Sequence, residues 1–208
     1  MISHCAHCNQ LPLDTFSAKH VCPSCGLPQP LSLSEDYFSV FGLLRRFGVD
    51  RSLLEKRFYE LSRLLHPDRF STVASDVKML SLARMSLVNQ AYGVLKYPNS
   101  LRDYLLKLEG IHTPKASIPV NLAETWFEIQ DLQSENVEAA LQAALEFERE
   151  LNQVKIDVEN HLLNLERQYD LEISHEMLDK IAVLTQDLAY LSSMQKDVER
   201  MKKNAYSN

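Results

Sequence analysis

Four cysteines and one His-Pro-Asp triplet are the residues of this chain whose types and spacing could do chemistry. The cysteines form two Cys-x-x-Cys pairs separated by thirteen residues: Cys5, Cys8, Cys22 and Cys25. Each pair offers two thiolates from a tight turn, and two such turns complete the tetrahedral sulfur site that zinc prefers. A site closed by four thiolates leaves no position for water or substrate, so we expect a structural Zn²⁺ ion.

Other chemistry for the same cysteines stays open at this point. Iron could replace zinc in a four-thiolate site. Two disulfides would need an oxidising compartment, but the N-terminal sequence MISHCAHC has neither a secretory core nor an Arg-rich presequence and so predicts a cytoplasmic protein. A thioredoxin-like redox role would need a surrounding βαβ pattern, which the sequence lacks. The neighbouring histidines His4, His7 and His20 are expected to be bystanders.

The first thirty residues have too few large apolar side chains for a core of their own. Metal binding is therefore expected to hold this lobe together and to be coupled to its folding. Gly26 follows the second cysteine pair, where a tight turn needs an unhindered residue. The stretch 27–30, which contains two prolines, is predicted to be an extended linker.

The His-Pro-Asp triplet follows a basic amphipathic helix. Apolar residues recur there at intervals of four, three and four: Leu54, Phe58, Leu61 and Leu65. This spacing predicts a helix from Arg51, with Asp50 as its N-cap. Because Pro67 lacks an amide and disfavours helical geometry before it, the helix must end near residue 65, and His66 and Asp68 project from a loop. The triplet alone could be a simple helix stop, and its position after the basic helix favours a functional role.

Three further helices are predicted around this one and after it. Tyr37 to Gly42 form a short helix with Glu35 and Asp36 in its first turn. Residues 78–97 form a longer helix whose apolar stripe packs on the basic helix: Leu80, Ala83, Leu87, Ala91 and Leu95. Residues 101–110 form another short helix, with Gly110 after its C-terminus, and residues 111–119 form a second linker.

The C-terminal part has no glycine or proline after residue 119, which favours long uninterrupted helices. Apolar spacing predicts a helix over residues 121–132 and two long antiparallel helices joined near residues 170–174, which together make a three-helix bundle. Leu122, Ile129 and Leu132 share the core side of the first helix. Phe127 and part of Trp126 then face solvent, as a binding surface requires, unless both aromatic side chains are simply core.

The composition excludes several classes of protein. With 45% hydrophobic and 24% charged residues over 208 positions, the chain is typical of a globular protein of one or two domains. No apolar run approaches the roughly 20 residues that a membrane span needs. Residues 51–69 carry a net charge of +2, and residues 121–170 carry twelve acids and three bases, a net charge of −9. This distribution disfavours duplex DNA as a ligand and suits two different protein partners.

The basic helix, its His-Pro-Asp loop and the antiparallel helix that follows resemble a J-domain, the co-chaperone module that stimulates ATP hydrolysis by DnaK-type chaperones. Four stretches narrow the resemblance: DYFSVFG, LSRLLHPDRF, LVNQAYGVLKYP and RDYLLKLEGI. They are similar to the HscB family, the J-type co-chaperones of iron–sulfur cluster assembly. The double Cys-x-x-Cys is similar to the form found in eukaryotic members and some bacteria, and the resemblance covers nearly the whole chain.

The resemblance implies two binding surfaces. One would engage a DnaK/HscA-type chaperone through the triplet and the basic helix: His66, Pro67, Asp68, Lys56, Arg57 and Arg63. The other would hold the IscU-type scaffold protein on which clusters are built: Trp126, Phe127, Gln130, Asp131, Glu138 and Tyr190. Gln130 and Ser134 depart from the apolar and acidic residues that the family has at these positions. Tyr190 could equally be a core residue.

The sequence therefore predicts an all-α protein: a J-domain helical hairpin and a C-terminal three-helix bundle, preceded by a small rubredoxin-like or zinc-ribbon-like metal lobe. The predicted domains are residues 1–30, 35–110 and 120–204. The resemblance implies an adaptor that delivers a cluster scaffold to the chaperone and stimulates ATP hydrolysis there, and no enzyme site is expected, because no nucleophile–base pair, phosphate loop or open metal site is seen.

The alternative is a zinc-ribbon nucleic-acid-binding protein or a general J-domain adaptor. The nearly neutral first thirty residues argue against nucleic acid, and we expect neither nucleic acid nor a membrane as a partner. Three roles of the metal lobe are left open: stabilising the chain, binding a partner, or supporting a weak homodimer.

Overall fold

The structure is a computed structural model that describes residues 4–10, 16–32, 34–112 and 120–206. Its described residues form these α-helices: α1 (Tyr37–Val40), α2 (Arg51–Leu64), α3 (Ser75–Leu95), α4 (Pro98–Leu108), α5 (Val120–Glu135), α6 (Val137–Leu171) and α7 (His175–Tyr206). Two 3₁₀ turns, Phe16–Lys19 and Pro67–Phe70, and an isolated antiparallel bridge between Val21 and Pro28 accompany them. The chain forms two compact units, residues 1–105 and 106–208. The predicted all-α class is confirmed.

Helices α2 and α3 form an antiparallel hairpin in the first unit. As predicted, Asp50 caps α2: its carboxylate accepts a hydrogen bond of 3.0 Å from the backbone amide of Leu53. The ring of Phe58 in α2 stacks on Tyr92 in α3, with centroids 4.0 Å apart. At the other end of the hairpin the carbonyl of Leu65 accepts the hydroxyl of Ser81 at 2.8 Å. The predicted bounds and core face of α2 are therefore confirmed.

The buried side of α3 differs from the prediction. The helix begins at Ser75 rather than near residue 78, and its buried residues include two polar side chains: Val77, Ser81, Arg84, Val88, Ala91 and Leu95. Ala83, predicted to be in the core, is exposed. The stripe is displaced by one residue over the first turns, because Ser81 and Arg84 turn inward to donate hydrogen bonds to backbone carbonyls.

Helices α1 and α4 pack against each other through aromatic rings. Tyr37 of α1 stacks on Tyr104 of α4 with centroids 4.3 Å apart, and the Tyr104 hydroxyl accepts the Tyr37 amide at 2.9 Å. Asp36 caps α1, and Pro98 begins α4, where a missing amide costs nothing. Gly110 after α4 has a φ of +75°, the left-handed conformation that the predicted helix end requires.

The second unit is a bundle of α5, α6 and α7. A single residue, Asn136, joins α5 to α6, and its side chain caps α6. Residues from all three helices form one apolar core: Leu122, Trp126, Ile129, Ala140, Ala144, Phe147, Leu151, Leu191, Met194, Val198 and Met201. The predicted three-helix bundle is confirmed. The end of the first helix, which the sequence pattern leaves between residues 133 and 139, is at Glu135.

The three helices of the bundle differ in length. Helix α5 has 16 residues and α6 has 35, about 24 Å and 52 Å at the usual helical rise, so α5 can cover only half of α6. Polar contacts fix the antiparallel register of α6 and α7: Gln195 bonds Asn152 and Lys155, and Lys202 bonds Glu148 at 2.7 Å.

Two other expectations concern membrane spans and the second linker. Among the helices of the described residues, none combines the length and the apolar character that crossing a bilayer demands. Most of the predicted second linker, residues 113–119, lies outside the described residues.

Candidate functional site

The four cysteines predicted as metal ligands converge in the first unit. All four Sγ atoms lie within 4.8 Å of one another, and none forms a disulfide. The Sγ of Cys5 is 3.7 Å from that of Cys25, and the Sγ of Cys8 is 3.8 Å from that of Cys22. Four sulfurs placed 2.3 Å from one ion would be about 3.8 Å apart. The cluster therefore fits a tetrahedral metal ion, and the distances suit zinc and iron alike.

The two Cys-x-x-Cys turns have the same backbone structure. Asn9 and Gly26, which follow the two pairs, have φ angles of +57° and +72°. Their amides donate to the carbonyls of Cys5 and Cys22 at 3.0 and 2.8 Å. Gly26 was predicted for such a turn. Asn9 is its equivalent in the first turn, where asparagine is one of the few residues that adopt the left-handed conformation readily.

Hydrogen bonds prepare Cys5 to be a thiolate. The backbone amide of His7 and the side-chain amide of Gln29 donate to its Sγ at 3.3 and 3.4 Å. Burial raises the pKa of the Cys5 thiol, but the amide hydrogen bonds from Cys8 and His7 outweigh this and lower it to about 6. Burial raises the pKa of Cys25 to about 12. All four groups can thus be thiolates at neutral pH only around a cation.

Arg84 of α3 ties the metal lobe to the helices. Its guanidinium is fully buried and donates to both carboxylate oxygens of Glu35 at 2.8 and 2.9 Å. It also donates to the carbonyl of Gln29 at 2.7 Å and to the carbonyl of Pro30. Because the side chain of the same Gln29 donates to Cys5, a metal ligand and the buried charge share one residue.

The stretch 27–30 is therefore not a free linker, and that prediction is wrong. Pro28 and Gln29 are buried. The carbonyl of Pro28 lies 3.1 Å from Nε2 of His7, and the next two carbonyls accept hydrogen bonds from Arg84. Contacts with residues far away in sequence hold this stretch in place.

His20 completes the polar network. Its ring is buried, with Nε2 2.8 Å from the carbonyl of Val40 and Nδ1 3.4 Å from the Arg84 guanidinium. Burial and the positive charge of Arg84 lower the pKa of His20 to about 4, so the ring is neutral at physiological pH. A neutral ring that donates from Nε2 accepts at Nδ1, which suits both partners. His20 is not grouped with the cysteines as a metal ligand, but its structural role has no signal in the sequence.

The His-Pro-Asp triplet forms a turn at the end of α2. His66 is the N-cap of a 3₁₀ turn that starts at Pro67, and its Nδ1 accepts the amide of Asp68 at 3.3 Å. The side chains of His66 and Asp68 are 59% and 90% exposed. Phe70, at the end of the turn, is buried. The triplet is therefore presented to solvent by a turn whose end is anchored in the core.

The basic residues of α2 divide into two groups. Lys56 and Arg63 are exposed and line a shallow groove of about 490 Å³ together with Tyr59, which the sequence analysis did not select. The Arg57 guanidinium instead donates to the carbonyls of Phe41 and Gly42 and lies over the ring of Phe16. Two backbone carbonyls thus hold one side of the Arg57 guanidinium, and its predicted contact with a partner remains a prediction.

The candidate aromatic face on α5 consists of one exposed and one buried ring. Phe127 is 65% exposed, and Gln130 and Asp131 beside it are exposed. Trp126 is only 8% exposed and stacks on Phe147 of α6, with centroids 5.9 Å apart. The helix packs most of the Trp126 indole into the bundle core, contrary to the expected exposure, although the residue still lines a recess of about 200 Å³.

Glu138 lies near the C-terminal end of α5. It is exposed in the first turn of α6, two residues after Asn136, which is the whole connection between the two helices. Because the connection is so short, Glu138 and Asp131 belong to the same end of the bundle.

Tyr190 of α7 lies further from this face. It is 40% exposed, and it precedes Gln195, which pairs with Asn152 of α6, by five residues. Trp126 packs on α6 at Phe147. At the usual helical rise, Tyr190 is roughly 15–20 Å along the bundle axis from Trp126. The structure thus leaves four of the six predicted residues exposed (Phe127, Gln130, Asp131 and Glu138), buries Trp126, and places Tyr190 further along the bundle.

The amino-acid sequence is similar to curated proteins from two mammals. No protein-family model matches the chain. Over 161 residues, 77% of its length, it is 34% identical to the Homo sapiens protein named iron-sulfur cluster co-chaperone protein HscB and covers 68% of that protein. The chain is 32% identical over 161 residues to the Mus musculus protein of the same name and covers 69% of that protein.

Solved structures show the same likeness. The crystal structure of the human co-chaperone protein HscB aligns with 96% of this chain and 98% of its own, at 27% identity and a TM-score of 0.67. The chaperone HscB from Vibrio cholerae aligns with 82% of this chain and 99% of its own, at 24% identity and a TM-score of 0.55. The second likeness supports the fold alone.

Proposed function

Because the chain belongs to the HscB family of iron–sulfur cluster co-chaperones, we propose that it brings a cluster scaffold protein to a DnaK/HscA-type ATPase and stimulates ATP hydrolysis there. One observation supports this division of labour. An exposed His-Pro-Asp turn lies in one compact unit, and an exposed aromatic and acidic face lies in the other. The two partners would therefore bind separate units.

The chaperone would bind the turn and the groove beside it. His66 and Asp68 are exposed and could meet a partner, since among the described residues their side chains form hydrogen bonds and ion pairs only with each other and within the turn. Lys56 and Arg63 add exposed positive charge, which would speed association with an acidic surface of the chaperone. Arg57 would support this site by holding α2 against the loop after α1.

The scaffold would bind the exposed side of α5. Phe127 offers an aromatic anchor, and Asp131 and Glu138 offer negative charge at the same end of the bundle. Trp126 would not touch the scaffold; it would support this surface by packing α5 against Phe147 of α6. Tyr190 would join this surface only with a scaffold large enough to span the distance along the bundle.

The metal lobe would have a structural role. Cys5, Cys8, Cys22 and Cys25 would hold one Zn²⁺ ion, whose charge stabilises the four thiolates. The ion would keep Gln29 and Pro30 in place as acceptors for Arg84, so that the lobe stays packed on the helices.

The proposal predicts that the two activities can be lost separately. H66Q should abolish stimulation of the chaperone's ATP hydrolysis, measured in single turnovers, while the scaffold still binds in pull-down assays. F127A should instead abolish scaffold binding and leave the stimulation of ATP hydrolysis intact, because Phe127 and the turn belong to different compact units. L171A is a matched control, since Leu171 is another highly exposed apolar residue of the same bundle. Loss of both activities in either variant would count against the proposal.

A further inference from the structure

The carbonyl of Leu65 is a buried acceptor without a partner inside its own helix. Leu65 is the C-cap of α2, where the last carbonyls lack intrahelical donors. The amide four residues on, that of Arg69, donates to His66 instead, at 3.0 Å. Leu65 has no exposed surface, so water cannot take the donor's place. The donor is Ser81 of α3, whose hydroxyl lies 2.8 Å away and is itself fully buried.

This hydrogen bond fixes the first peptide group of the His-Pro-Asp turn. The Leu65 carbonyl belongs to the planar peptide that joins Leu65 to His66. Once its oxygen is held, the direction in which the chain enters the turn is set. The turn itself is closed by bonds from the Asp68 amide to the His66 ring and from the Ser71 amide to the Asp68 carbonyl. It therefore moves as one piece between Ser81 and the buried ring of Phe70.

The orientation of the two exposed side chains depends on these anchors. In the parts of the chain that the structure describes, the side chains of His66 and Asp68 make hydrogen bonds and ion pairs only within the turn. A rotation of the Leu65–His66 peptide would thus carry both side chains with it, since neither side chain is held by a hydrogen bond or ion pair to a described residue outside the turn. A partner that reads both side chains would meet a different surface.

We propose that Ser81 is a positioning residue for chaperone stimulation: its buried hydroxyl holds the Leu65 carbonyl and so aims the His-Pro-Asp turn. The inference rests on the function proposed above. Ser81 does not touch the chaperone and acts only through Leu65. Serine is unexpected on the core side of α3, where the sequence pattern predicts apolar residues, and the hydrogen bond accounts for its presence there.

The variant S81A tests this inference against two comparison variants. S81A removes the donor and leaves the buried carbonyl unpaired, whereas S81T keeps a hydroxyl. S62A is a matched control: the Ser62 hydroxyl makes a bond of equal length, 2.8 Å, but to the Phe58 carbonyl within α2 and not to a peptide group of the turn. For each variant we would measure the folded fraction by circular dichroism, single-turnover ATP hydrolysis by the chaperone, and the NMR shifts of the His66 ring and the Asp68 amide.

With the protein at least nine-tenths folded, S81A is expected to reduce stimulation roughly tenfold, the order expected for losing one buried hydrogen bond. The His66 and Asp68 resonances should move in S81A, remain in place in S62A, and return toward wild type in S81T. Unchanged resonances, or a loss of stimulation only in proportion to unfolded protein, would overturn the positioning role. Wild-type protein that fails to stimulate the chaperone would instead refute the proposed function itself.

Discussion

Arg84 places a full positive charge inside the first unit without any exposed side-chain surface. Moving a charge out of water costs several kcal/mol unless the charge is paired and hydrogen-bonded. Arg84 meets this requirement with the Glu35 carboxylate and the carbonyls of Gln29 and Pro30. At the scale of single residues, this is the contact by which the metal lobe and the helical hairpin depend on each other.

Replacing Arg84 by methionine should lower the free energy of unfolding by about 3–5 kcal/mol, because Glu35 is left without its partner. Urea denaturation followed by circular dichroism measures the change. The double variant R84M/E35Q should recover part of the loss, since no unpaired carboxylate remains. R149M is the control, because Arg149 is exposed on α6 and its replacement should change the stability by less than about 0.5 kcal/mol. Equal losses in the single and double variants would contradict the ion-pair explanation.

The N-cap of α2 predicts a dependence of stability on pH. The hydroxyl of Ser52 and the amide of Leu53 lower the pKa of Asp50. A carboxyl group whose pKa is lower in the folded state stabilises the fold above its unfolded pKa, about 3.9, and loses this contribution as the pH falls. D50N keeps a good cap without a titrating group. The melting temperature of the wild type should therefore fall more than that of D50N between pH 6 and pH 3, and parallel curves would contradict the prediction.

At the scale of elements, α5 buries one of two adjacent aromatic residues, Trp126, and exposes the other, Phe127. Consecutive positions of a helix are separated by about 100°. The packing of α5 on α6 directs Trp126 onto Phe147, and Phe127 consequently points to solvent. Only the second of these residues can be changed without disturbing the bundle. A variant that removes both rings would confuse binding with folding.

W126A should destabilise the second unit by about 3–5 kcal/mol, the usual cost of removing a large core aromatic side chain. F127A should change its stability by less than about 0.5 kcal/mol and still lose the scaffold. Thermal unfolding followed by circular dichroism, together with scaffold titration by calorimetry, separates the two effects. A stable W126A variant, or an unstable F127A variant, would contradict the assignment of the two rings.

Local patterns predict the elements well, because a helix periodicity needs only neighbouring residues. The bounds and cap of α2, the clustering of the four cysteines and the bundle follow from residue types and their spacing. Three features escape this reasoning, since each depends on contacts with residues distant in sequence. Arg57 is bound by the loop after α1, Arg84 rather than the predicted Ala83 lies in the core, and Trp126 is buried against Phe147. The predicted binding roles of single residues remain predictions.

At the scale of the whole molecule, the chain has two compact units that carry different chemistry. The first combines the metal lobe with the hairpin that presents the His-Pro-Asp turn, and the second is the acidic bundle. Since the lobe has little core of its own, we expect its order to depend on a bound metal ion. Through Gln29 and Arg84, part of the order of α3 should depend on the ion as well.

Removing the metal with a chelator should therefore weaken the first unit and spare the second. Hydrogen exchange at the amides of α3 should become roughly tenfold faster or more, while exchange in α6 and α7 stays unchanged. Adding Zn²⁺ back should restore protection. In R84M the chelator should have less effect on α3, because the connection from the lobe to the helix is already broken. Equal exchange in α3 with and without metal would show that the lobe and the hairpin are independent.

Trp126 is the single tryptophan of the chain and lies in the core of the second unit. Fluorescence excited at the red edge of the protein absorption therefore comes from the bundle alone, and the metal lobe and the hairpin are silent in it. Emission should respond to a scaffold that docks beside Phe127 and stay constant when a chaperone occupies the His-Pro-Asp turn. Under the proposed function, the fluorescence of this single tryptophan would therefore distinguish scaffold binding from chaperone binding without a label.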